Sequence, residues 1–346
     1  MMMRRRLAAL AAAGSLVVGL AACTTDDTGN DTGNDSESLV VYSGRSENLV
    51  GPLLAQIGER TGIDLEVRYA STPEMAAQIA EEGQASPADI FFSQDAGALG
   101  ALSKEGLLAE LDDTTIDVVP AEYRAADGTW VATSLRARVL VYDSEALEES
   151  EVPDTIDALT EPEWRGKVGY APTNASFQSF VTGLRVDRGD EAAEQWLRDF
   201  LANEPKTYDN NNALLEAADT GDVQLGLTNH YYWYNTAQEK GEENMRARVH
   251  YLTQGDPGAL VNVAGVGVLA SSDRQEDALR VVQELLGEQA QLYFLEESSE
   301  YPVVPGITSD AVGLPPFETL GGPDIDLGDL DGLEQTQQML TRVGMI

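Results

Sequence analysis

From residue 39 onward, short apolar runs alternate with longer stretches in which apolar residues recur at helical spacing. Leu39-Val40-Val41-Tyr42 is stopped by Ser43-Gly44, which predicts a buried strand ended by a turn. Leu49, Leu53, Leu54 and Ile57 then share one face of a predicted helix that ends near Gly62. Residues 63–69 alternate as a strand does. Thr72-Pro73-Glu74 reads as a cap residue followed by proline, opening a helix that runs to about Glu82. Residues 88–92 form another apolar strand and 98–107 another helix. Strand, helix, strand, helix, strand is the pattern of a parallel α/β sheet.

The middle of the chain repeats this style. Strands are predicted at 138–142, 168–170 and 223–227, and helices at 190–201 and 212–218. Further on, 259–270 is apolar and glycine-bearing, followed by helices at 273–286 and 288–295. Two segments, 131–142 and 260–270, are long and apolar enough to cross between two lobes. On that reading lobe one comprises 39–136 plus 260–312, and lobe two 137–259 plus 313–346. A ligand would sit in the cleft facing the carboxyl ends of the strands.

The ends change the picture of where the protein works. Arg4-Arg5-Arg6, the small and apolar run 7–20, and Leu20-Ala21-Ala22-Cys23 read as an export signal too short to span a bilayer comfortably. The ending resembles a bacterial lipobox, which implies a signal peptide of residues 1–22, cleavage before Cys23 and lipidation of its sulfur. Cys23 is the only cysteine in the chain, so no internal disulfide competes for it. Residues 23–38 carry a tandem Thr-Gly-Asn-Asp and several acids, and read as a disordered acidic tether. The remaining length suits one large or two moderate lobes. The formal charge is −37, and loss of the three leader arginines takes it to −40. Such a field disfavours nucleic acid and anionic membrane surfaces as partners.

Candidate chemistry concentrates in Asn229-His230-Tyr231-Tyr232-Trp233-Tyr234. A phenol is a poor ligand at neutral pH, its pKa being about 10, but a highly charged metal displaces the proton. Adjacent tyrosines are therefore candidates to clamp a hard trivalent cation; a packed aromatic core or a sugar-stacking platform is the plainer alternative. Side chains one residue apart on a regular helix diverge by about 100°, so the pair is expected at an irregular strand-to-helix turn. The segment 324–332 lacks an EF-hand's glycine at position six, where Asp329 stands, and Glu334 falls one short of position twelve; it reads as a solvated acidic loop. No nucleophile elbow, zinc-binding His-Glu-x-x-His or P-loop occurs, although paired carboxylates of a glycosidase remain open among so many acids.

Four stretches together resemble the ferric-ion-binding, periplasmic-type solute-binding proteins of ABC importers: Val40-Val-Tyr-Ser-Gly-Arg-Ser-Glu47, Pro87-Ala-Asp-Ile-Phe-Phe-Ser-Gln94, Arg136-Ala-Arg-Val-Leu-Val-Tyr-Asp143 and Asn229-His-Tyr-Tyr-Trp233. Gly169-Tyr-Ala-Pro-Thr-Asn174 adds a fifth, and the likeness covers 39–346. It implies a two-lobed α/β fold of periplasmic-binding-protein type II, with a hinge of two crossing strands. It also implies a monomeric, extracytoplasmic, lipid-anchored binding protein that hands ferric iron to an ABC permease.

By this resemblance Tyr231 and Tyr232 bind the metal. A synergistic anion such as phosphate or carbonate would complete its coordination, held by Thr173, Asn174, Ala175, Ser176, Asn211, Asn229 and Arg136, with Arg45 a further candidate. Helix-start N–H groups at 173–176 suit an anion, while Asn211 could instead cap a helix. The chain departs from the family at Ser46, where one branch has a histidine, and at Gln94, where it has a glutamate. Another branch's third tyrosine is replaced by Asn174-Ala175-Ser176-Phe177. Tyr42, Ser46 and Gln94 are the remaining lobe-one candidates for the metal. Neither His230 nor His250 is assigned a role. The rival ligands within the same fold are an organic cation, boxed by the aromatic rings, a phosphonate or a small acid; the rival class is a secreted enzyme.

Overall fold

A computed structural model describes residues 38–309, 312–316 and 319–346; the predicted leader, Cys23 and the Thr-Gly-Asn-Asp repeats lie outside them. The first elements follow the apolar pattern: β1 (Leu39–Ser43), α1 (Glu47–Thr61), β2 (Leu65–Tyr69), α2 (Thr72–Glu82), β3 (Ile90–Ser93), α3 (Ala96–Lys104) and the single turn α4 (Asp113–Ile116). Gly62 ends α1 in the left-handed conformation at φ 69°, which costs a residue without Cβ little. The cap of α2 is Ser71, one residue earlier than expected. Its Oγ accepts from the Glu74 N–H while the Glu74 carboxylate accepts from the Ser71 N–H, a reciprocal box that outcompetes Thr72.

Next come β4 (Val131–Asp143), β5 (Val168–Tyr170), α5 (Ala175–Arg188), α6 (Asp190–Ala202), β6 (Lys206–Thr207), α7 (Asn211–Asp219), β7 (Leu225–Asn229), α8 (His230–Lys240) and β8 (Ala247–His250). The chain finishes with β9 (Val261–Val268), α9 (Gln275–Leu286), α10 (Glu288–Ser298), β10 (Tyr301–Pro302) and α11 (Leu333–Val343). Among the described residues no helix is long and apolar enough to cross a membrane.

The strand order is β2-β1-β3-β9-β4-β7-β5-β6, with β10 and β8 also on β4. The sheet is parallel at both flanks, as the alternation predicts, but antiparallel in the middle, where β4 and β9 meet their neighbours. All 13 residues of β4 are buried, and at about 3.3 Å per residue they reach about 43 Å. Its first half, to Ala137, pairs with β9; from Arg138 it pairs with β7. One continuous strand therefore carries the chain between two sheets.

Apolar packing divides in the same way. One cluster gathers Val41, Ile57, Phe92, Val263 and Phe294 on the β1–β3 and β9 side. The other sheet has a cluster built on Phe177, Phe180, Trp196 and Leu340 and a smaller one around Leu214 and Trp233. The segment expected to be a solvated loop is instead a short 3-10 helix at Leu327–Asp331. Its leucines, Leu327 and Leu330, are buried, while Asp329 and Asp331 face Lys104 at 3.1 and 3.0 Å. It lies so close to α3 that a Cβ on Gly97 or Gly100 would stand 2.3 Å from the Leu330 or Gly328 carbonyl oxygen.

Candidate metal centre

β7 runs into α8 without a loop: Asn229 ends the strand and precedes the helix in extended conformation, and His230 is the first helical residue. Tyr231 and Tyr232 thus lie in the first turn of a regular helix, not at an irregular turn. Side-chain torsions overcome the divergence of their Cα–Cβ bonds, and the two rings stack 4.4 Å apart at 29°. Unpaired N–H groups make the start of a helix electropositive, a setting that favours a phenol losing its proton. Burial, and then the neighbouring Tyr232, hold the Tyr231 pKa well above the usual phenol value, with Arg136 pulling the other way. Without a metal Tyr231 is a neutral phenol.

Two arginines stand behind the tyrosines. Arg136 and Arg138 are two apart on β4 and so share a face of the strand. Their exposures are only 5% and 3%, and the Nε of each has no partner. Arg136 donates to the carbonyls of Gln94 and Val263. Arg138 donates to the carbonyls of Ser176 (3.2 Å) and Leu227 (3.3 Å) and lies 3.5 Å from Asn229 Oδ1. Its guanidinium lies over the Phe180 ring at 4.9 Å. Burial lowers its pKa to about 9, against the opposing pull of Tyr232 and Tyr231, so it remains a cation at neutral pH. Inside a strongly acidic protein the site itself is electropositive.

Several expected residues converge on one small cavity of about 30 Å³: Gln94, Arg136, Ala175, Ser176 and Asn229, joined by Arg138 and Asp95. Thr173, Ala175 and Gln94 also line an adjoining cleft of about 530 Å³. Asn174 caps α5, its Oδ1 accepting from the Ser176 N–H at 2.9 Å and from its Oγ at 2.8 Å, while its own N–H donates to the Ala171 carbonyl at 3.1 Å, which leaves the side-chain NH2 as its group open to a ligand. Asn210, not Asn211, caps α7. Asn211 turns inward and donates to Ser176 Oγ at 2.9 Å, with its own Oδ1 buried and unpaired.

Other candidates are committed elsewhere. The Tyr42 hydroxyl donates to Glu82 at 3.1 Å and accepts from Gln78 at 3.0 Å and Arg68 at 3.3 Å. Ser46 is the exposed residue preceding α1. Arg45 is wholly buried in a two-bond pair with Glu300 at 3.1 and 3.0 Å. Sequence reasoning missed Arg138, although the period of two from Arg136 pointed to it. It also missed Asp95, whose carboxylate caps α3 through Ala98 at 3.1 Å and whose pKa burial raises. His230 is buried with its Nε2 on the Ser299 carbonyl at 2.8 Å, while His250 contacts Asp154 at 2.9 Å. Among the described residues no group of three or more His, Cys, Asp or Glu could hold a metal ion.

Comparison with known proteins places the chain among binding proteins. The family model described as bacterial extracellular solute-binding protein matches residues 85–322. The major ferric iron-binding protein of Neisseria meningitidis serogroup B is 33% identical over 312 residues, which cover 89% of this chain and 93% of that protein. Iron-bound HitA from Pseudomonas aeruginosa superposes with a TM-score of 0.81 at 34% identity, covering 89% and 99% of the two chains. Trichodesmium IdiA (FutA) in complex with iron and citrate gives 0.78 at 27%, covering 89% and 100%. The architecture they share is the two-lobed type II periplasmic-binding fold expected above.

Proposed function

The chain belongs to the bacterial extracellular solute-binding protein family, and from that premise we propose that it captures ferric iron between its lobes for an ABC importer. The observation that carries this reading is the stacked pair Tyr231 and Tyr232 at an electropositive helix start. Two hard phenolate oxygens suit a hard trivalent ion, and the relatives named above are iron-binding by their own descriptions. Two phenolates leave one positive charge and several coordination positions unmet. A synergistic anion fills them, seated against Arg136, Arg138, Ser176 and Asn229. Phosphate, carbonate or an organic carboxylate such as citrate meets that need.

The two buried arginines also call for an anion at the site, which a ferric ion held with phenolates and a synergistic anion brings and an organic cation alone does not. Lobe one is taken as 39–136 plus 260–312 and lobe two as 137–259 plus 313–346, with rigid lobes closing about the crossing strands. Gln94 and Asp95 face the ion from lobe one. In the working protein Cys23 carries a lipid that holds a monomer at the outer face of the cell membrane, beside the permease that receives the iron.

Titration with ferric nitrilotriacetate tests the reading. A phenolate-to-iron charge-transfer band should grow to one equivalent, tighten when phosphate, carbonate or citrate is supplied, and weaken in Tyr231→Phe and in Tyr232→Phe. Undiminished colour and affinity in the double phenylalanine variant would refute the assignment.

A further inference from the structure

The residue that begins the tyrosine-bearing helix is not a ligand, yet it is wholly buried and fully bonded. His230 Nδ1 accepts from the Ala137 N–H at 3.1 Å, and Nε2 lies 2.8 Å from the Ser299 carbonyl. An acceptor at Nδ1 and a donor at Nε2 define one neutral tautomer. Ala137 lies where β4 passes from one sheet to the other. Ser299 ends α10 in the left-handed conformation at φ 52°, which a serine adopts only when its surroundings impose it.

Those surroundings are well defined. Glu300, the next residue, is locked by Arg45 and by Ser134 Oγ at 2.5 Å, and Tyr301 pairs with Leu135 and lies 4.9 Å from the His230 ring. The Tyr301 hydroxyl meets that of Tyr251, beyond β8, at 3.1 Å. The Ser299 carbonyl is therefore a fixed point on the lobe-one side, and His230 joins it directly to the turn that carries Tyr231 and Tyr232.

We propose that His230 is a positioning residue that couples ion capture to lobe closure, by tying the first turn of α8 at once to the crossing strand and to the segment Ser299–Tyr301. The inference rests on the ferric reading of Tyr231 and Tyr232. Movement of the α8 start when phenolates grip the ion passes through the imidazole to both attachment points, so the lobes and the ligands move together. Buried polar groups with all partners satisfied transmit such shifts because breaking either bond leaves an unpaired buried group.

Three substitutions separate the two bonds. Phenylalanine keeps the ring and removes both. Asparagine, a mimic of Nδ1, keeps an acceptor for Ala137 and loses Ser299; glutamine, a mimic of Nε2, keeps a donor for Ser299. The full chain of each variant is titrated with ferric nitrilotriacetate in the presence of phosphate. The charge-transfer band, the iron release rate to a chelator and the contraction in radius of gyration by small-angle scattering are followed.

We expect His230→Phe and His230→Asn to retain the band, to lose the contraction and to release iron at least 10-fold faster, with His230→Gln, which keeps the bond to Ser299, recovering both in part. Should the phenylalanine variant not fold, the asparagine and glutamine pair decides alone. Wild-type contraction and release in folded His230→Asn would overturn the proposal. Absence of the band in the wild-type protein would instead overturn the ferric reading, so the two failures are distinct.

Discussion

The buried imidazole makes the metal-free protein acid-sensitive by an amount that can be worked out. Burial lowers the His230 pKa from 6.5 to about 4, although the Ala137 and Ser299 carbonyls beside its ring nitrogens oppose the shift. In the unfolded chain the ring takes a proton below about 6.5; in the folded protein it stays neutral down to about 4. Between those values the unfolded state binds more protons, so stability falls as pH falls. From pH 7 to pH 5 the loss due to this one residue is about 2 kcal/mol. With a urea slope near 3 kcal/mol per molar, the midpoint should move by about 0.7 M. Carboxylates also titrate in this range, so the informative quantity is a double difference. Urea melts at pH 7 and pH 5 are compared for wild type and for His230→Gln, each against itself. The acid shift of the variant should be smaller by about 2 kcal/mol. Equal acid shifts in the two proteins would show that His230 is protonated in the fold or exposed, and the neutral tautomer used above would be wrong.

Three other outcomes are expected. Arg45→Met should cost about 3–5 kcal/mol, because Glu300 is left charged in a dry interior; a melting temperature lowered by about 6–12 °C measures it, and Arg45→Met with Glu300→Met should recover much of the loss. Gly100→Ala should destabilise by about 1–3 kcal/mol, since the new methyl meets the Gly328 carbonyl; calorimetry, with proteolysis near residue 328, reads this out. Loading with ferric iron should release two protons per ion from the phenols, so indicator-dye titration of the Tyr231→Phe, Tyr232→Phe double variant should fall short of wild type by two, and acid should discharge iron from the wild type.

Much of this was legible along the chain because it is a matter of local pattern. The apolar run at Leu39, the helical spacing of Leu53, Leu54 and Ile57, and the turn at Gly62 follow from periodicity and backbone freedom, which depend on neighbours in sequence. Tyr231 and Tyr232 stood out for the same reason: they are adjacent, and their chemistry is intrinsic to the phenol. Where sequence reasoning slipped, a competing neighbour decided. Ser71 displaced Thr72 as a cap because Glu74 lay at the right distance to answer it. Residues 324–332 read as a solvated loop because their aspartates are indeed solvated, yet Leu327 and Leu330 are buried and the backbone at Leu330 and Gly328 closes on two glycines of α3.

Other features belong to the folded chain alone. Nothing near Arg45 announces Glu300, and nothing near His230 announces Ser299, because each partner arrives from the far side of the fold. Whether Arg136 faces an anion or a carbonyl depends on where β3 ends, on the far side of β9 from β4. The 4.4 Å stacking of the tyrosine rings is a choice of side-chain torsions, made by the walls around them. Residue type and local order set which elements form and which groups can react. Long-range packing, which alone excludes water and fixes distances between remote residues, decides which of those groups meet.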